Sequence, residues 1–487
     1  MIEQGHIIKK QIIELQLSSQ QGAFEVQSEV SRIYRSKVIP LIEALCNQLS
    51  DEQTIVRIDS LEIDLGNINI NNLEQELVEK IEEYIKQHLP EKKKSSNSHV
   101  YSQSTSQLEL LIYFLQTGMR PWWAKTLSKQ ELIDYFDRLI TTSPNQIHPI
   151  LWHSFQDEKQ LKRLIYQFPD ATLLKIIHLF YPSLIQFIAN YNSDIIELCK
   201  KIEILRNIPE NMARLERWRG IFLSLFFESN IKREKKQIIK ESLLYISTSF
   251  NLNYLDLVNQ IQKIVERFRI EGKSFKSELP KLLSQIVFSS QSEKKVEDQN
   301  LIIYSQNFTN YQPSIESFSD SDEIYIQNSG LILLWPFLNR FFEEVGLLQE
   351  NNFINLSSVE RAVLLLQYLA DASSAPPEHI LPLNKLLCGI ELLEPVETNW
   401  KITEQERSEC ENLLCAVIQH WSILKNTSIE GLRKAFLQRK GVLRIIDGSL
   451  LLQVERETYD VLLDKIPWSI GIIKFPWMNE ALSVEWS

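Results

Sequence analysis

The chain has 487 residues, is 44% hydrophobic and 24% charged, and holds only 13 glycines, well below the usual ~7% share. Its two closest glycines, Gly441 and Gly448, stand seven positions apart, which excludes G-x-G-x-x-G and G-x-x-x-x-G-K phosphate loops and a G-x-S-x-G nucleophile elbow. The 52 basic and 63 acidic residues give a net charge of −11, which argues against duplex DNA, whose phosphates call for a basic surface.

The length allows two to four domains. The five cysteines, Cys46, Cys199, Cys388, Cys410 and Cys415, are odd in number, scattered and mostly set in apolar runs. Buried reduced thiols fit this better than disulfides or metal ligands. The most apolar windows, Ile221–Phe227 and Leu331–Leu338, fall short of the ~20 residues that cross a bilayer, and no signal-peptide pattern opens the chain. A protein that is cytosolic when made is expected.

Residues 1–90 read as a strand-helix-strand-helix α+β unit. Ile13/Leu15/Leu17 and Leu61/Ile63/Leu65 alternate at period two, which predicts strands over His6–Leu17 and Thr54–Gly66 with one buried face each. Between them Ala23–Leu49 has helical spacing through Phe24, Val30, Ile33, Tyr34, Leu41 and Leu45, with a break or bend at Pro40. Leu73–Leu89 places Leu73, Leu77, Ile81 and Ile85 on one face. Residues 91–106 read as a linker.

Residues 107–288 form a helical, solenoid-like middle, with helices at 108–116, 128–140, 158–167, 172–179, 184–191, 194–205, 221–227, 235–247 and 255–268. Phe168-Pro169-Asp170 and Tyr181-Pro182-Ser183 mark stops followed by new starts. No fixed period names a repeat family. Residues 289–328 read as a polar linker, with Leu301–Tyr304 and Glu323–Ile326 as short strand or docking candidates.

Residues 329–487 read as a C-terminal α+β domain. Helices are predicted at 330–346, 357–371, 382–388, 404–421 and 429–438. Thr403-x-x-Glu406 and Thr427-x-x-Glu430 have the form of capping boxes. Cys410, Leu414, Val417 and Trp421 make one stripe. Leu443–Ile446, Asp447-Gly448 and Leu450–Glu455 predict a β-hairpin with a type I′ turn, and 470–475 and 482–486 are further strand candidates. The fold class is therefore mainly α with small α+β ends.

Chemistry is sparse. His148 and His153 stand five apart around Pro149 and lack the i, i+4 zinc spacing. Asp59, Glu62 and Asp64 fit the solvated face of a half-buried strand better than a catalytic pair. His379, in Pro376-Pro377-Glu378-His379, is a general-base candidate without a nearby nucleophile, and a structural role fits it better. No catalytic, cofactor or metal residue is assigned.

Lys425, Arg433, Lys434, Arg439, Lys440 and Arg444 cluster against Glu430 alone. Only Phe436 interleaves, so a docking face for an acidic protein, or a plain solvated helix, fits better than nucleic acid. The proline-tryptophan corners around Trp122, Trp123, Trp335, Trp468 and Trp477 suit core corners or protein-binding anchors.

These residues resemble the tape-measure proteins of phage-tail-like contractile injection systems. At the N-terminal end the resemblance rests on Ile7–Leu17, Val56–Gly66, Tyr113–Gly118 and Pro121-Trp122-Trp123. At the C-terminal end it rests on Gly330–Phe337, Pro377–Gly389, His420-Trp421 with Leu424–Ser428, Phe436–Arg439, Leu452–Arg456 and Pro467–Met478. It implies a non-enzymatic assembly role without cofactors. The protein would set inner-tube length inside the tube lumen and engage the inner-tube protein and the baseplate hub or spike, with no nucleic acid and no membrane. Trp122, Trp123, Trp335, Lys425, Arg433, Lys434, Arg439, Trp468 and Trp477 are the candidate partner-binding residues. A compact adaptor or chaperone that nucleates assembly without measuring is the alternative, because seven prolines from Pro121 to Pro280 interrupt the middle.

Overall fold

The computed structural model describes residues 6–17, 22–49, 54–58, 60–92, 98–206, 208–226, 234–290, 323–446 and 448–486. Two units divide the chain: residues 1–110 with 123–125, and residues 111–122 with 126–487. Asp59, the segment Leu301–Tyr304 and Asp447 lie outside the described residues.

In the first unit, residues 6–17 run as an extended arm instead of the predicted strand, with Ile7, Ile8, Ile12, Ile13, Leu15 and Leu17 all exposed. Alternation alone does not make a strand, because the backbone needs a pairing neighbour. The other predicted strand pairs elsewhere: its first part, β1 (Thr54–Ile58), runs antiparallel to β2 (Ser98–Ser102), with Val56 opposite Val100. Residues 61–65 likewise form no strand yet keep their alternation, with Glu62 and Asp64 exposed and Leu61, Ile63 and Leu65 half-buried. Helix side chains hold the carbonyls that a ladder would otherwise take. Lys80 Nζ donates to Leu65 O (2.9 Å) and Asn67 O (2.7 Å), and Tyr84 Oη donates to Glu62 O (2.7 Å).

Helix α1 (Ala23–Ile33) passes through a π turn at Tyr34–Val38 into α2 (Ile39–Leu49). Pro40 offers no N–H to the carbonyl four residues back. The π turn, in which the Ile39 N–H reaches Tyr34 O, lets the helix continue where a break or bend was expected. Ile33, Val38 and Leu45 pack with Leu77, Ile81, Ile85 and Leu89 of α3 (Leu73–Lys92) to make this unit's core. Phe24, read into the apolar stripe, is exposed.

Helix α4 (Gln103–Thr117) leads to the helical array of the second unit: α5 (Lys129–Thr142), α6 (Pro144–Gln156), α7 (Glu158–Gln167), α8 (Asp170–Phe180), α9 (Ile185–Cys199), α10 (Glu210–Phe226), α11 (Lys235–Ser249), α12 (Tyr254–Ile270) and α13 (Leu279–Ser290). Sequence neighbours pack together, α5 on α6, α6 on α7, α8 on α9, α10 on α11, α11 on α12 and α12 on α13, and further contacts join α5 to α8, α10 to both α6 and α7, and α11 to α13. Phe155, Phe180, Phe222 and Phe226 interlock with ring centroids 4.3–5.8 Å apart. Pro169 caps α8 and Pro182 opens the short turn before α9, as their stop-start pattern implies.

Sequence patterning did not anticipate α6 or α13. Helix α6 carries Pro149 in its interior, past the first turn, where it forfeits the bond to Asn145 O and crowds that carbonyl. The two helices predicted over 184–205 are one, α9, followed by a 3-10 turn at Glu203–Leu205.

The C-terminal part of this unit holds a five-stranded sheet, ordered β3 (Glu323–Ile326), β6 (Gly441–Ile446), β7 (Ser449–Val454), β9 (Leu482–Trp486), β8 (Ile472–Ile473). Only β7 and β9 run parallel. A small separate hairpin pairs β4 (Leu348–Gln349) with β5 (Asn352–Phe353). The predicted β6–β7 hairpin forms with Gly448 at φ 74°, a left-handed value that glycine adopts without strain.

The predicted helix at 330–346 begins as a fully buried 3-10 turn, Ser329–Leu334, and becomes helix α14 (Trp335–Glu344) where Pro336 occupies the first turn. Gly330 lies flat on the backbone of Phe436; a Cβ there would run into the Phe436 carbonyl oxygen.

Helices α15 (Leu356–Asp371), α16 (Pro382–Leu387), α17 (Glu404–His420) and α18 (Ile429–Leu432) complete the fold. The Thr403–Glu406 capping box is present at α17. The Thr427–Glu430 box is not, since Ser428 directly precedes the first helical residue and accepts the Gly431 N–H at 3.0 Å. Helix α18 passes into a π turn at Arg433–Leu437. Cys410, Leu414, Val417 and Trp421 are fully buried together in the core.

Candidate functional site

The most organised polar feature of the second unit is a buried ion cluster built from three distant parts of the chain. Helix α4 ends at Gly118, whose φ is 74° and whose N–H closes on Phe114 O at 2.7 Å. The carbonyls this leaves open, Leu115 O and Gln116 O, accept from Arg163 Nη1 of α7 at 2.5 and 3.2 Å, a cation at the negative end of a helix. Arg163 Nε meets Glu378 Oε2 at 3.0 Å, and Lys385 Nζ of α16 meets Glu378 Oε1 at 2.6 Å. All three side chains are at most 1% exposed. Burial pulls the Lys385 ammonium below its usual range while Glu378 holds it up. A Cβ at Gly118 would stand 2.5 Å from Glu378 Oε1, so this glycine makes room for the ion pair.

From the cluster the chain runs on as an irregular strap, residues 391–400, lying between α15 on one side and α5 and α7 on the other. Helix α7 holds it through Lys159 to Glu391 (3.1 Å), Lys162 to Glu394 (2.7 Å), Arg163 Nη2 to Leu393 O (2.7 Å) and Gln167 Nε2 to Val396 O (3.1 Å). Asn399 Nδ2 donates to Tyr166 O at 3.1 Å, and Lys129 of α5 reaches Thr398 Oγ1 at 2.9 Å and Asn399 Oδ1 at 2.5 Å.

Two further carboxylates are buried where strap meets α15. Glu360 is 4% exposed and Glu397 1%. The Glu397 backbone N–H donates to the Glu360 carboxylate, whose Oε1 has no hydrogen-bond partner. Burial pushes the Glu360 carboxyl up to about 7, opposed by Lys162 and reinforced by Glu397, and burial raises Glu397 too. Burial takes Lys129 down to about 8.

The residues singled out from sequence do not converge on one site. Arg433 is buried and donates to Leu369 O (3.1 Å) and Tyr368 O (3.3 Å), capping the end of α15. Arg439 is buried and grips Asp460 through two bonds of 2.6 and 2.9 Å. Arg444 pairs with Glu323 across β3 and β6. Of the basic run, Lys425, Lys434 and Lys440 remain exposed, Lys434 pairing with Glu430 at 3.2 Å.

Trp335, Trp468 and Trp477 are half-buried against the C-terminal core, their N–H groups bonded to Ser469 O (2.7 Å), Leu333 O (3.1 Å) and Leu387 O (2.8 Å). Trp122 and Trp123 are half-buried, and the Arg57 guanidinium sits 3.9 Å over the Trp123 ring. His379 is buried beside Phe114, and burial, aided by Arg120, takes its pKa down to about 3. It is neutral at working pH. All five cysteines are free thiols.

Two surfaces stand out. The turn Ser422–Leu424 packs on Thr458–Lys465, and Ile423, Tyr459 and Val461 there are 47%, 51% and 65% exposed, close in sequence to the exposed Lys425. A groove of about 450 Å³ is lined by Phe353, Leu356, Val359, Ile390 and Trp477. Among the described residues no group of three or more His, Cys, Asp or Glu could hold a metal ion, and no helix is long and apolar enough to cross a membrane.

A family model described as contractile injection system tape measure protein matches residues 5–486 of the chain. Neither the curated proteins nor the solved structures provide a match.

Proposed function

The chain belongs to the contractile injection system tape measure proteins, and from that membership we propose how its parts divide the work. It is a structural protein with a tube-length role, and its partners belong in general terms to the tail tube and baseplate. The compact-adaptor alternative is not favoured.

In our reading the array α5–α13 supplies length, and the C-terminal part of the second unit engages the hub or spike. The protein is made and assembled in the cytoplasm, ends in the tube lumen, and works without catalytic chemistry. The observation that supports this most is the packing of sequence-neighbouring helices at the end of the array, α10 on α11 and α11 on α12. Helices α11 to α13 pack mainly on one another and on α10, so that end of the array can part from the rest. As one straight helix, residues 107–288 would reach ~270 Å at ~1.5 Å each, but the prolines stand mostly at helix starts in short helices. Extension by separating helices fits this chain better than one rigid rod.

Docking falls to the exposed Ile423, Tyr459 and Val461 with Lys425, an apolar patch carrying positive charge suited to an acidic, apolar-edged partner. Trp335, Trp468 and Trp477 are half-buried against the core of the same C-terminal part. Removing α11 and α12 together and measuring tubes by electron microscopy tests the reading, with uniformly shorter tubes expected. Tubes of unchanged length would overturn the ruler role. Val461→Asp combined with Lys425→Glu, both exposed, should leave the protein folded but absent from purified particles.

A further inference from the structure

Two stretches of the first unit carry strand patterning but belong to no sheet: the arm at 6–17 and residues 61–65. Half of the arm is large and apolar, and Ile7, Ile8, Ile12, Ile13, Leu15 and Leu17 stand 39–67% exposed. Apolar side chains gathered so densely on one exposed stretch mark an interaction surface. The arm is also tied near its start, where His6 Nε2 meets Asn47 Oδ1 of α2 at 2.8 Å. Part of the cost of ordering it for a partner is therefore already met.

Residues 61–65 offer the complement. Leu61, Ile63 and Leu65 pack against this unit's core while Glu62 and Asp64 are exposed. Tyr84 and Lys80 take the carbonyls of Glu62 and Leu65, but the backbone N–H groups of 61–65 meet no acceptor among the described residues. The charges match as well. Lys10 stands on the arm, Glu62 and Asp64 on the other stretch, and none of the three forms an ion pair among the described residues.

We propose that the two stretches pair between copies: the arm of one chain lies as a strand beside residues 61–65 of a second chain, which returns its own arm to the first.

A different partner would cover the arm and leave 61–65 without a neighbour, whereas a second copy supplies both. Side chains repeat every two residues along a strand. Setting Ile13, Leu15 and Leu17 on the same face as Leu61, Ile63 and Leu65 therefore puts Lys10 and Glu14 on the face of Glu62 and Asp64. Like charges directly opposite are unfavourable, which selects a register with Lys10 against the two carboxylates and Glu14 beyond them. Backbone bonds then supply affinity and alternate side chains supply specificity. Each copy gives one arm and accepts one, so the exchange closes at two copies and every contact occurs twice. Pairing of this kind does not depend on whether the array sets tube length.

Sedimentation velocity of the full chain across the micromolar range tests this, and a concentration-dependent dimer is expected. Ile13→Glu with Leu15→Glu, both at exposed positions, should weaken the dimer more than about a hundredfold while helix content by circular dichroism stays constant. Lys10→Glu should weaken it about tenfold, each contact being present twice. Adding Glu62→Lys and Asp64→Lys to that variant should restore the wild-type dissociation constant. Amide exchange in the wild type should slow at 10–17 and 61–65 together as the concentration rises. A monomer at every concentration, a dimer indifferent to the arm variants, or a triple charge reversal no tighter than Lys10→Glu alone would each overturn the pairing. Where a variant fails to fold, the concentration dependence of wild-type exchange decides alone, and its absence from either stretch is equally fatal.

Discussion

Glu378→Gln is expected to cost about 3–5 kcal/mol of unfolding free energy, because it leaves Arg163 and Lys385 as two fully buried cations without an anion. The Coulomb attraction of a buried pair is largely offset by desolvation while both partners are present, so the cluster as a whole contributes little net stability. Removing the single carboxylate exposes the desolvation cost of both cations at once. Lys385→Met should be much milder, since Arg163 and Glu378 remain paired and Met fills a similar volume. The measurement is the urea midpoint at constant slope, and an order in which Lys385→Met costs more than Glu378→Gln would contradict the assignment of Glu378 as the sole counter-ion.

Trp421→Ala should cost about 3–5 kcal/mol, the range for deleting a buried large aromatic side chain. Its indole is fully buried, packs edge-on against Phe436 at 4.8 Å and donates to Leu462 O at 3.3 Å. Trp421→Phe keeps most of the ring and leaves the Leu462 carbonyl unpaired, so about 1 kcal/mol is expected. The two variants separate packing from hydrogen bonding by thermal denaturation. Equal losses would mean that the N–H, not the ring, dominates.

Trp421 was legible in advance because Cys410, Leu414, Val417 and Trp421 fall at helical spacing, a pattern that a single segment carries whole. Glu158–Gln167 was read to the residue for the same reason, and the β6–β7 hairpin announced itself through Asp447-Gly448. The ion cluster was not legible at all. Arg163 and Glu378 are 215 positions apart, and no local pattern separates a buried arginine from a solvated one. Arg433 and Arg439 show the same limit: they read as part of an exposed basic face, yet one caps the carbonyls of α15 and the other clamps Asp460. The arm at 6–17 shows the converse, since its alternation is real but its pairing depends on a partner that β2 supplies to β1 instead.

The sheet has a bearing on how the protein is made. Strand β3 must wait for β6, over a hundred residues later, and β9 enters between β7 and β8 as an interior strand, parallel to β7 and antiparallel to β8. Such non-local pairings are slow to close because loop entropy is lost before any ladder forms. While a ribosome is still adding residues 472–486, the edge of β7 stands open and the sheet is unfinished. A chain interrupted before residue 482 therefore never completes its C-terminal sheet and presents a strand edge prone to aggregation. Truncation before residue 482 is therefore expected to yield aggregated or degraded chains rather than short rulers, a result that expression of such truncations reads directly.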